Sequence, residues 1–245
     1  MRSGCRFTLV LLALWGAAAA GAEPFELRAF GNFKRMAHSG DARAVLKLSE
    51  LGARPGSYGL GALAGLRGEV LLWDGRLLVT HGHSNEGRAV PAAPADEAAL
   101  FVSAQVRAWD ETALPETMTQ PQFEAFVMRT AKAGGIDLER AFPFIVRGAL
   151  PSLKWHVVTG AAAKHGGAEP GAGAHAQGHA GNRVFERAEP AALLLGFYSG
   201  AALEGVITHP GERFHVHYAD SRFSVSGHVD AYRVAKGAVL ALPRR

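Results

Sequence analysis

The sequence predicts an α/β fold of the α+β type, and three observations carry the prediction. Runs rich in aromatic and β-branched residues, at 70–80, 100–109, 142–150, 153–158, 191–198, 214–218 and 223–234, have the length and patterning of strands. Only two stretches, within 25–52 and at 120–134, have the spacing of an amphipathic helix. Turn signals divide the strand candidates, among them Asp74-Gly75, Pro151 and the segment from Gly205 to Pro210.

Taken in order, residues 1–22 read as an export signal that is removed. Arg2 and Arg6 supply a positive start, 7–20 is an apolar run, and Ala20-Gly21-Ala22 is a small-residue cleavage site. The run is too short to span a bilayer comfortably, and no further run of 18 apolar residues follows, so no membrane association is expected after cleavage. Cys5 precedes the apolar run, so an exported mature chain carries no cysteine and no disulfide. Losing Arg2 and Arg6 lowers the formal charge from +4 to +2. No basic block remains, which argues against nucleic acid as a partner. The mature chain, about 220 residues, is long enough for one large core or two small ones.

Within 25–52, Val45, Leu46, Leu48 and Leu51 recur near helical spacing after Asp41, a candidate N-cap. The glycine-rich GSYGLGA at 56–62 fits neither a dinucleotide loop nor a P-loop, and a hairpin turned at Asp74-Gly75 follows it directly. Glu69 opens the first strand of that hairpin as a carboxylate ahead of an apolar run. His81 and His83 sit in a Gly/Ser/Asn turn and read as solvated. Thr119 and Gly134-Gly135 bracket the second helix. Residues 159–181 are dominated by Gly, Ala and His, including His165, His175 and His179, and read as a mobile insertion.

The chemistry concentrates in FHVHYADSRFSVSGHVDAY at 214–232. In a strand, residues two apart share a face, so His215 and His217 point the same way. A turn over 219–222 would return the next strand and bring His228 opposite them. Three imidazoles with one side open is the donor pattern of a catalytic rather than a structural zinc site, although HxH also arises by chance in a chain with 11 histidines. Asp230 lies two residues beyond His228, either to orient a ligand ring or as a solvated charge at the strand end.

Together these segments resemble the α-acetolactate decarboxylase family. YGLGALAGLRGEVLLWDGRLL is similar to its glycine-rich entry and Gly-Glu strand, and LLLGFYSG followed by GVITHPGERFHVHYADSRFSVSGHVDAY is similar to its C-terminal block. The resemblance implies two mixed β-sheet domains with flanking helices, at 23–140 and 141–245, a metal site on the C-terminal sheet, and a homodimer. It implies Zn2+ on His215, His217 and His228, with Glu69 approaching from the N-terminal half. It also implies a small 2-hydroxy-3-oxo acid as substrate. Loss of carboxylate from such an acid leaves an electron pair to be stabilised by a cation and quenched by a proton, and Glu69 is the candidate donor.

Two departures stand out. Where the family carries an active-site arginine, this chain has His156, and Lys154, two residues before it, is a candidate substitute whose ammonium lacks the fork of a guanidinium. The family's C-terminal glutamate has no counterpart in Leu242-Pro243-Arg244-Arg245. An exported metal- or small-ligand-binding protein with altered catalysis is therefore the alternative reading.

Overall fold

A computed structural model describes residues 24–160 and 182–245. The export signal, Cys5, His165, His175 and His179 lie outside the described residues, as does 161–181 of the insertion read at 159–181.

The first sheet is built from β1 (Phe25–Phe30), β2 (Leu46–Lys47), β3 (Ser57–Leu63), β4 (Gly68–Trp73), β5 (Arg76–His81), β6 (Ala89–Pro91) and β7 (Glu97–Val106), with helix α1 (Phe33–Ser39) after β1. Its order is β1-β7-β3-β4-β5-β6, with β2 also on β7. The chain then supplies β8 (Trp109–Ala113), β9 (Met118–Thr119), α2 (Gln120–Ala133), β10 (Phe142–Val157), β11 (Arg183–Tyr198), β12 (Phe214–Asp220), β13 (Ser226–Val234) and β14 (Val239–Pro243). These form a second sheet in the order β8-β14-β10-β11-β12-β13-β9, and a further pairing of β10 with β13 closes β10, β11, β12 and β13 into a ring.

Two sheets with flanking helices match the expected class, but every pairing among the described strands is antiparallel, where mixed sheets were expected. Parallel neighbours need crossovers of a dozen residues or more, usually helical, and this chain spends its connections on short turns. The chain passes from one sheet to the other between Val106 and Trp109, ahead of the division read at 140/141.

Local chemistry explains most elements. Asp74 and Gly75 both have positive φ, 48° and 82°, which is what the tight turn between β4 and β5 demands. Gln122 reaches back to accept from the Thr119 backbone N–H at 2.9 Å, starting α2, and Phe123, Val127 and Ala131 bury one stripe of it.

The helix read after Asp41 is not there. The helix lies earlier, capped by Asn32, whose side chain accepts from the Arg35 N–H at 3.0 Å, and ended by Gly40 at φ 65°. Downstream, the Val45 N–H bonds the Ala98 carbonyl and Leu46 pairs with Ala98, so the sheet captures residues whose spacing alone suited a helix. Likewise 142–150 and 153–158 form one strand, whose register shifts around Leu150 absorb Pro151.

The sheets pack face to face. Leu60, Leu71, Trp73 and Val102 of the first meet Ile145, Leu195, Phe197 and Ala241 of the second in one buried cluster. The outer face of the second sheet packs on α2 through Phe123, Phe144, Tyr218 and Tyr232.

Candidate metal centre

The alternation of two strands aims the chemistry into the space between the sheets. On β4, Leu71 and Trp73 face the second sheet, and Glu69 shares their face. On β12, Val216 and Tyr218 enter the outer core while Ala219 joins the inter-sheet cluster, so His215 and His217 look back toward Glu69. The histidine pair therefore lies on a buried face. Across neighbouring strands His217 pairs with His228, and His228 with His156, setting three imidazoles in a row on β12, β13 and β10. Gly227 makes this row possible: a Cβ there would stand 2.5 Å from the His156 carbonyl oxygen and 2.6 Å from the Trp155 ring.

One ring nitrogen from each of His215, His217 and His228 lies within 4.8 Å of the others, and such a group could hold a metal ion. The His215 Nδ1–H donates to the Ile207 carbonyl at 2.6 Å, directing Nε2 inward. Both ring nitrogens of His217 are buried without a hydrogen-bond partner, a costly arrangement that a metal would relieve at the nitrogen carrying the lone pair. Burial lowers the pKa of all three, His215 to about 4 and the other two well below the ordinary histidine value. They are therefore neutral, the state in which an imidazole offers its lone pair. The donor set fits a metal.

Glu69 completes the centre from the other sheet. Its Oε1 accepts from the Val158 N–H at 3.1 Å, and its Oε2 is 3.6 Å from His217 Nε2. Burial raises this carboxyl to about 7, against the opposing pull of His156 and the Val158 N–H.

His156 stands beside His228, ring centroids 4.8 Å apart, and its Nδ1–H donates to Asp230 Oδ1 at 2.6 Å. Burial works to lower the pKa of His156, but the bond to Asp230 and the nearby Glu69 outweigh it and raise the value overall. Asp230 is thus neither a solvated strand end nor a brace for a ligand ring. It is the extra residue where β13 bulges against Lys154 and Trp155, and it braces His156.

Lys154 is not brought into the site: its side chain is 45% exposed and pairs with Glu186 at 3.3 Å. His83 is exposed, as read, with its ring stacked on His81 at 5.2 Å. At the C-terminus, Arg244 pairs with Asp110 at the surface. Sequence reasoning passed over His209. Its ring centroid lies 6.0 Å from His228 and its Nδ1–H donates to Glu212 at 3.1 Å. The signal was the first histidine of THPGERFHVH, in a loop where no strand period applies.

A family model described as Alpha-acetolactate decarboxylase matches residues 36–242. Among solved structures, an acetolactate decarboxylase from Bacillus subtilis subspecies spizizenii superposes with a TM-score of 0.70 at 17% identity, over 89% of this chain and 86% of that one. An alpha-acetolactate decarboxylase from Bacillus subtilis strain 168 gives 0.66 at 16% identity, over 88% and 85%. A Staphylococcus aureus protein of unknown function, similar to alpha-acetolactate decarboxylase, gives 0.65 at 15% identity, over 88% and 84%. No curated protein sequence matches the chain. At such identities the structural likeness speaks for the fold.

Proposed function

Because the chain belongs to the alpha-acetolactate decarboxylase family, we propose that it is a zinc-dependent carboxy-lyase converting 2-hydroxy-2-methyl-3-oxobutanoate to acetoin and carbon dioxide. Export rests on the segment 1–22, and a homodimer on the family resemblance. The observation that carries the activity is the convergence of Glu69 and three neutral histidines from opposite sheets, with Glu69 Oε2 3.6 Å from His217 Nε2.

The reaction breaks the bond between C2 and the carboxylate, leaves the electron pair on the remaining carbon–oxygen skeleton, and needs one proton returned to carbon. Zinc on His215, His217 and His228 would supply a Lewis acid for the substrate's hydroxyl and ketone oxygens and hold the charge that develops there. Glu69 would deliver the proton: with the Val158 N–H on Oε1, Oε2 is the oxygen left to carry it, 3.6 Å from His217 Nε2. His156, braced by Asp230, is the residue that the resemblance sets against the family's arginine, and on this reading it orients the substrate's carboxylate. The packed sheets exclude bulk water, which strengthens each of these contacts.

Purified protein loaded with zinc and given racemic acetolactate should release acetoin, and chelation should abolish the activity until zinc is restored. Zinc-loaded protein that forms no acetoin would sink the substrate assignment.

A further inference from the structure

We propose that His209 is a ligand-contacting residue of this centre, holding an oxygen of the hydroxy acid beside His228; the proposal rests on the reading above. His209 sits in the loop between β11 and β12, and that loop is pinned along its length. The Phe33 N–H bonds the Val206 carbonyl at 2.9 Å, the Lys34 N–H bonds the Gly205 carbonyl at 2.8 Å, and the Gly205 N–H donates to Thr208 Oγ1 at 3.2 Å. His215 holds the Ile207 carbonyl, two residues before His209.

The side chain is held as firmly as the backbone. Phe33 meets the ring edge-on with centroids 4.1 Å apart, and the carboxylate of Glu212 takes Nδ1–H at 3.1 Å. Donation from Nδ1 selects one tautomer and fixes the direction of Nε2. An imidazole immobilised before binding gives up no rotamer freedom when a ligand arrives. The side chain is also 25% exposed, whereas His215 and His217 are buried.

The arrangement repeats one already described. His228 is flanked by two imidazoles, each held at Nδ1 by a carboxylate: His156 by Asp230 at 4.8 Å between rings, and His209 by Glu212 at 6.0 Å. A ligand with oxygens on adjacent carbons, as a 2-hydroxy-3-oxo acid has, could meet a nitrogen of each ring while its remaining oxygens reach the three-histidine set.

The test compares His209→Ala, His209→Gln and Glu212→Gln, zinc-loaded and intact, by metal analysis, steady-state kinetics on acetolactate, and calorimetric binding of 2,3-dihydroxy-2-methylbutanoate, which cannot decarboxylate. The expected result is full zinc content and a KM raised about tenfold or more in His209→Ala, with kcat changed much less. His209→Gln should restore part of the affinity through its amide, and Glu212→Gln should weaken binding by a smaller factor. A KM and an analogue affinity in His209→Ala within about twofold of the unmodified protein would overturn the proposal, as would loss of zinc, which would make His209 a metal ligand. If the unmodified protein makes no acetoin, the substrate assignment fails separately and the analogue arm decides. Weaker binding in His209→Ala still supports the contact, and an unmodified protein that binds no hydroxy acid overturns it.

Discussion

Glu69 and His217 are two buried polar side chains facing each other across a gap, and each makes the other's substitution informative. Glu69→Gln keeps the shape and the Val158 hydrogen bond but cannot release a proton, so zinc content should stay intact while kcat falls on the order of a hundredfold or more. His217→Ala removes a ring at the centre of the metal group, so zinc binding itself should go. Metal analysis beside kinetics separates the two, and full activity in Glu69→Gln would remove it from the proton-donor role. At this scale the sequence was legible where a residue type sat in a period or a family motif: His215, His217, His228 and Glu69 all did. Asp230 was ambiguous because its partner, His156, is 74 residues away. Lys154 shared a nominal strand face with His156, yet its ammonium ends in an ion pair with Glu186.

Among the elements, the seam between β5 and β13 sets the distance from Glu69 to the histidines. Thr80 pairs with Glu69 across the first sheet, and its hydroxyl lies 2.7 Å from that of Ser226, two residues before His228. Both hydroxyls are buried. Thr80→Val preserves the shape but leaves Ser226 without that partner, which should cost about 1–3 kcal/mol. For a chain of this size that lowers the melting temperature by about 2–4 °C per kcal/mol. The measurement is thermal unfolding of the zinc-free variant, and an unchanged midpoint would show the seam to be unimportant. Hairpins were readable because their turns are local, as at Asp74-Gly75. The first helix was misplaced because a strand partner 53 residues distant, joining Val45 to Ala98, decides that segment.

For the whole molecule, zinc-free protein should lose stability in acid. His215, His217 and His228 are all held below the ordinary value near 6.5, so under that pH the unfolded chain takes up protons that the folded one refuses. Stability from these groups is complete above pH about 6.5 and declines as pH falls toward about 4, the value for His215. Glu69 and His156, both raised, act in the opposite sense, two groups against three. Denaturant midpoints of the chelated protein between pH 7 and 4.5 should therefore fall with pH, and a flat or rising profile would contradict the neutral, buried histidine set.

The division of the centre between sheets has a further consequence. Its three histidines come from one sheet and the carboxyl from the other, so on the proposed function occupancy by zinc would report that the second sheet is formed, whereas turnover would report that the two sheets are also in register with each other. Mild denaturant, or a loosened seam, should silence the protein while it still carries its ion. In that respect the molecule behaves as a two-key lock, and its two readouts follow separate stages of coming apart.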